Sequence, residues 1–340
     1  MDHFYRRKAF LLSIAFLLSF FFILSFYLIL IRPPAETSSI KVIYIKKGTN
    51  LRKISEILKQ EGIIRNANFF IATATLLGKR GEIKAGEYEF QPQMFPWKVL
   101  DTLIRGQVKR QLITIPEGYT LSQIAQLLED LNIVEKQDFL KKASSANFIS
   151  SLNLPYSVGP TLEGTLFPDT YHLFKGMDPE EVIQMMIHQF KKVFSSDLTH
   201  RSLPLGISEK EVIILASIIE KEASLSEEKP LISAVFHNRL KKKVPLQSDP
   251  TVIYGIKNFN GNLTKDHLMK YTPYNTYLVA GLPPAPICNP GKGSILAALH
   301  PAPVPYFYFV SKNDGSHYFS SDIEEHNRAV WKFQKNKGKK

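Results

Sequence analysis

The feature that most constrains this chain is the stretch AFLLSIAFLLSFFFILSFYLILI, which runs from Ala9 to Ile31 without a charged residue. A helix needs about 20 such residues to cross the hydrocarbon core of a bilayer. A run this apolar therefore cannot sit on the surface of a water-soluble domain. Arg6, Arg7 and Lys8 come just before it, and basic residues stay on the cytoplasmic side of a first span. The run is longer than the apolar core of a cleaved leader, and RPPAETSS follows it with no small-x-small cleavage site. The expectation is an uncleaved anchor. Residues 1–8 form a cytoplasmic tail, 9–31 a transmembrane helix and 32–41 a linker. The rest of the chain then lies beyond the cytoplasmic membrane, in an extracytoplasmic or periplasmic space, with or without an outer membrane. Nucleic acid is excluded as a partner on that reading.

Charge and cysteine content agree with a wall-side or surface location without specifying it. The 340-residue chain carries 43 Lys and Arg against 31 Asp and Glu, a formal charge of +12, which suits an anionic partner. The single cysteine, Cys288, forbids an intrachain disulfide and a closed cysteine zinc site. HExxH and paired-histidine spacings are absent, so His300 and His317 are not read as metal ligands. No cofactor is called for.

Beyond the linker the chain repeats itself. VIYIKKGTNLRKISEILKQEGII, from Val42, aligns with LITIPEGYTLSQIAQLLEDLNIV, from Leu112, and the offset is constant. Identities include Ile43/Ile113, Ile45/Ile115, Gly48/Gly118, Leu51/Leu121, Ile54/Ile124, Leu58/Leu128 and Ile63/Ile133. Each copy predicts a short alternating strand, a glycine turn and a helix capped by Asn50 or Thr120. The Ser/Asn/Pro-rich text from Ala143 to Gly159 marks a domain boundary. The organisation read is a repeat-bearing region over 42–150 and a second domain over 151–340.

The second domain contains LASIIEKEAS, Leu215 to Ser224. Ser208 and Glu211 form a capping box, which starts a helix at Glu209 that runs to about Ala223. From Val212 to Ile219 this helix is apolar on all sides apart from Ser217, as expected of a buried helix. Two carboxylates follow. At about 100° per residue, Glu220 shares its face with Ile213, Ala216, Ser217, Ala223 and Ser224 and with no cation. Glu222 lies nearly opposite, beside Glu211, and reads as structural or supporting. A carboxyl desolvated in this way is held protonated and can act as a general acid. The competing reading, a helix end paired with Lys221 or Lys210, stays open on these residues alone. Around the helix lie LEGTLFPDTY, QSDPTVIYG, TPYNTYLVAGLPPAPICNPG and HPAPVPYFYFV. Aromatics, amides and acids on proline-stiffened loops suit a carbohydrate cleft.

Taken in order, LEGTLFPDTY, LASIIEKEAS, VFHNRL, LQSDPTVIYG, YNTYLVAGLPPAPICNPG, HPA and YFV resemble the endolytic murein transglycosylases, the YceG-like family. The resemblance spans about Val42 to Lys332. It implies an α+β chain: a transmembrane helix, a LysM-like α/β subdomain that engages peptidoglycan, and a mixed α+β catalytic domain. It implies lytic cleavage between N-acetylmuramic acid and N-acetylglucosamine, leaving 1,6-anhydro ends. The catalytic acid it implies is the first Glu of Glu-Lys-Glu, here Glu220. Candidate cleft residues are Glu163, Asp169, Asn238, Gln247, Asp249, Asn275 and Tyr277. Implied partners are glycan strands, penicillin-binding proteins and elongation or division proteins. Two other functions fit the same residues: a non-catalytic peptidoglycan-binding tether, and a hydrolytic muramidase with a second carboxylate from Glu163, Asp169 or Asp249. Cys288 carries no role and reads as a small buried residue or a surface thiol.

Overall fold

A computed structural model describes residues 2–31, 39–156, 159–194 and 205–335, with some side chains of the first helix left undescribed. Among the described residues the chain is α+β with three two-stranded sheets, β1 with β2, β3 with β4 and β5 with β6, and it divides into two compact units.

The first unit is residues 1–111 with 173–177. It contains α1 (Asp2–Ile31), β1 (Lys41–Ile45), α2 (Leu51–Gln60), α3 (Ala67–Leu76), β2 (Gly86–Phe90) and α4 (Pro96–Arg105). Helix α1 holds the uncharged run. Among the described residues no helix is long and apolar enough to cross a membrane. The linker expected at 32–41 lies largely outside the described residues. Antiparallel pairing sets Lys41 opposite Phe90 and Ile45 opposite Gly86. This puts Ile43, Ile45, Tyr88 and Phe90 on the buried face, as a period of two requires. Leu51, Ile54 and Leu58 of α2 close over them with Phe70 and Leu103.

The second unit is residues 112–172 with 178–340. Along the chain come β3 (Gln111–Thr114), α5 (Leu121–Asp130), α6 (Lys136–Ala143), α7 (Ala146–Ser151), β4 (Thr170–Leu173) and α8 (Pro179–Val193). They are followed by α9 (Glu209–Glu222), α10 (Lys229–Lys241), α11 (Asp249–Gly255), α12 (Lys265–Met269), α13 (Lys292–Leu299), β5 (Tyr308–Ser311), β6 (His317–Ser320) and α14 (Ile323–Val330). The capping box at Ser208 and Glu211 forms as the sequence predicts. Every residue of α9 from Val212 to Ile219 is buried. The helix packs on Ile232 and Phe236 of α10, Ile295, Ala298 and Leu299 of α13, and Phe190 of α8. Each such side chain taken from water contributes about 1.5–3 kcal/mol, so α9 is the axis of this core.

Both copies of the repeat fold alike. Gly48 and Gly118 have positive φ, +83° and +75°, and Asn50 and Thr120 cap α2 and α5 through Lys53 N and Gln123 N. Their partners differ. The second copy belongs to the second unit because Glu163 binds its helix start. Both Glu163 oxygens accept from Leu121 N, at 2.9 and 3.1 Å. Asn289 completes the join, donating Nδ2 to Tyr119 O at 3.0 Å and accepting from Leu166 N at 2.9 Å.

Gly164 lets this junction close. Its φ is +84°, and a Cβ there would collide with the Pro286 ring and meet Ile213 Cγ2 at 3.2 Å. Left-handed backbone and overpacking each cost a bulkier residue about 1–2 kcal/mol. Gly164→Ala is expected to lower unfolding free energy by at least about 2 kcal/mol in urea titrations, whereas Gly78→Ala, with open space around it, is expected to cost about 1 kcal/mol.

Candidate active site

The two carboxylates at the end of α9 leave the helix on different sides and meet different chemistry. Glu220 is turned into the protein, with its side chain 9% exposed. Its Oε2 accepts from Ser294 Oγ at 2.7 Å and from Gly291 N at 3.0 Å, at the start of α13. Lys229 Nζ lies 3.3 Å from both oxygens. The same ammonium is 3.8 Å from Glu117 Oε2, and Lys221 Nζ donates to Gly118 O at 3.4 Å. The expectation of a cation-free surrounding for Glu220 is therefore corrected. A helical wheel counts neighbours on one helix, whereas Lys229 arrives from the start of α10, after a turn. Glu220 ties α9 to α10 and α13.

Glu222 faces a cleft of about 400 Å³ bordered by Gln247, Asp249, Tyr277, Arg239 and Phe309. Ser248 Oγ donates to Glu222 Oε1 at 2.5 Å. Burial pushes the Glu222 carboxyl up to about 7, and Asp249 adds to the rise, while the Ser248 bond opposes it. A carboxyl in this range is protonated in about half of the molecules at neutral pH and can release its proton to a ligand in the cleft.

Of the residues singled out in the sequence, Gln247, Asp249 and Tyr277 converge on this cleft. The Tyr277 hydroxyl donates to Asp249 Oδ1 at 2.7 Å, and burial pushes that phenol up. Gln247 holds a positive φ of 52° and accepts from Arg239 at 3.1 Å. Asn275 is fully buried. It donates to Leu268 O and Lys270 O and accepts from Tyr277 N, so it shapes the loop that presents Tyr277 and does not itself face the cleft.

The remaining candidates lie elsewhere. Asn238 donates to Val304 O and Tyr306 O, both at 2.9 Å. It borders a separate groove of about 780 Å³ with His237, Pro301 and Pro303. Glu163 is buried and also accepts from Asn289 and Tyr254. It braces α5, and burial raises its carboxyl to about 7. Asp169 is exposed and is held by Gln189 Nε2 at 2.7 Å. Cys288 is buried, its thiol directed to Ser217 O at 3.3 Å and pushed up by that burial. Residues the sequence reading missed at the cleft are Arg239, Ser248, His317 and His326. Arg239 sits inside VFHNRL, and its guanidinium donates to Phe307 O, Pro245 O and Leu246 O. An arginine buried to this degree is the signal that could have marked it.

The description YceG-like family matches residues 43–332. The chain belongs to the YceG-like family. An endolytic murein transglycosylase of Bacillus subtilis is 32% identical over 329 residues, spanning 92% of this chain and 90% of that one. An endolytic murein transglycosylase of Streptococcus pneumoniae R6 is 30% identical over 334 residues, with 87% of this chain matching 59% of the relative. A crystal structure of a yceG-like protein from Listeria monocytogenes superposes with a TM-score of 0.58 at 32% identity, covering 86% of this chain and 99% of that one.

If Glu220 is a structural tie, removing its cation leaves a charge buried. Lys229→Met is expected to cost about 3 kcal/mol in urea unfolding. Adding Glu220→Gln should recover part of that loss, giving a measurable coupling between the two positions. Additive losses would mean that the pair contributes nothing to the fold.

Proposed function

We propose that this chain is an endolytic peptidoglycan lytic transglycosylase in which Glu222 is the proton donor. The observation that carries the reading is the position of Glu222. It is a carboxyl raised to about 7 on an open polar cleft, in a chain whose curated relatives are named endolytic murein transglycosylases. Glu222 gives its proton to the glycosidic oxygen between N-acetylmuramic acid and N-acetylglucosamine, and the anomeric C–O bond breaks. The muramic acid C6 oxygen then bonds to the anomeric carbon, and its hydroxyl proton returns to the Glu222 carboxylate. The products are a 1,6-anhydromuramic end and a free sugar hydroxyl. Water takes no part. The sequence reading assigned both steps to Glu220. Its oxygens accept from Ser294, Gly291 and Lys229, which favours Glu222 as the acid, with Glu220 kept as the alternative.

The uncharged run in α1 supports a single membrane anchor with a cytoplasmic N-terminus, and the strand–turn–helix repeat supports a LysM-like grip on glycan. Penicillin-binding proteins and elongation or division proteins are the partners this placement favours. One observation favours a second reading: Asp249 borders the same cleft as Glu222, and two carboxylates are what a muramidase uses to activate water.

Digestion of purified peptidoglycan by the full chain, followed by mass spectrometry, separates these readings. Anhydro-ended fragments are expected, and Glu222→Gln should lower kcat at least about 100-fold. Glu220→Gln should act mainly on stability. Because the acid must carry its proton, kcat/KM should fall about tenfold per pH unit above about 7. Reducing ends would support the muramidase. An active Glu222→Gln enzyme would remove Glu222 from the chemistry, and peptidoglycan binding without cleavage would leave a tether.

A further inference from the structure

His317 opens β6 with its ring gripped from behind. Its Nδ1 lies 2.7 Å from Glu228 Oε2, and its backbone N donates to Glu228 Oε1 at 2.9 Å. Both side chains are almost enclosed, 11% and 10% exposed. Glu228 ends the short turn Ser226–Glu228, directly before Lys229. Phe309 meets the ring edge-to-face at 5.3 Å between centroids, and Phe319 lies at 6.3 Å. The ring is thus fixed in rotation. With Nδ1 engaged by Glu228, the Nδ1–H tautomer is the one that keeps its lone pair on Nε2.

That second nitrogen has no hydrogen-bond partner among the described residues, and His317 borders the same cleft as Glu222. His326 borders it too, with Nδ1 buried and unpartnered. His326 is held by stacking on Tyr308 at 5.1 Å. Polar atoms enclosed by protein ordinarily have partners. One buried orphan nitrogen, on His326, and a second ring on the same cleft whose Nε2 makes no hydrogen bond to the described residues point to a partner from outside the chain.

We propose that His317 contacts the substrate, its Nε2 accepting a hydrogen bond from a hydroxyl of the bound glycan, and that Glu228 is the positioning residue that holds the accepting tautomer. This rests on the cleft of Glu222 being the site of cleavage. A carbohydrate presents many donors at fixed angles, and an acceptor locked by a second carboxylate selects one of them without reorganising. The dyad therefore contributes to binding and register of the sugar, and Glu222 moves the proton.

The test uses full chain labelled with ¹⁵N-histidine and carrying Glu222→Gln, so that bound glycan is not consumed. The probe is a tetrasaccharide of alternating N-acetylglucosamine and N-acetylmuramic acid. The expected spectrum shows His317 with the proton on Nδ1, and the Nε2 resonance moving on titration while Nδ1–H persists. In the active chain, His317→Phe should raise KM about tenfold, the loss of one hydrogen bond, with kcat changed less. Glu228→Gln should give an intermediate rise. A proton on Nε2, or an Nε2 resonance unmoved by saturating tetrasaccharide, overturns the proposal even where His317→Phe fails to fold. A wild-type KM for a folded His317→Phe chain overturns it as well. An active Glu222→Gln enzyme would instead defeat the cleft reading beneath it, so the two failures are told apart.

Discussion

The second unit depends on burying α9 from all directions. With Val212 through Ile219 enclosed, the helix has no solvent face along most of its length. Its polarity is confined to the capped start and to the Glu-Lys-Glu end. That end must satisfy charged groups inside a packed structure, where an unpaired charge is costly. The solution divides the load. Glu220 receives a cation and two neutral donors, while Glu222 receives one hydroxyl and access to a cleft. A rigid, dry helix then holds the Glu222 carboxyl against the loops that border the cleft.

The loops are themselves held by side chains that bond their backbone, Arg239 at the border of the cleft and Asn275 and Asn238 away from it. Asn275 ties its loop to Leu268 and Lys270, Arg239 ties the 245–247 and 307 segments, and Asn238 ties the 304–306 segment. Each uses a planar polar group to satisfy backbone carbonyls that loops would otherwise leave unpaired. The proline-rich text around these positions supplies stiffness, and the buried amides and guanidinium supply register. The cleft residues Gln247, Asp249 and Tyr277 emerge from that frame already positioned.

Much of this was legible before any coordinates. The strand–turn–helix repeat could be read because its apolar spacing and glycine turns are local signals, and the capping box at Ser208 gave the start of α9 correctly. Gln247, Asp249 and Tyr277, named as candidates through the family resemblance, border one cleft. The rest was hidden for a common reason. A helical wheel tells which residues share a face but not what packs there, so it could not show Lys229 against Glu220 or the cleft against Glu222. The join of Glu163 to Leu121 and the grip of Glu228 on His317 link residues 42 and 89 apart. No periodicity reports such pairings.

The stitches made by Asn289 have a consequence for how the molecule comes into being. They span 123 residues to Leu166, 126 to Glu163 and 170 to Tyr119. Contacts this distant in sequence slow folding, because long loops must close before they are rewarded. The Ser294 and Gly291 ties to Glu220, and the cleft walls from Phe309 onward, come later still along the chain. A ribosome delivering this polypeptide therefore releases a helix α9 whose carboxylates have no setting until the last segment has emerged. Any cutting power the cleft confers is withheld from the nascent chain by topology alone.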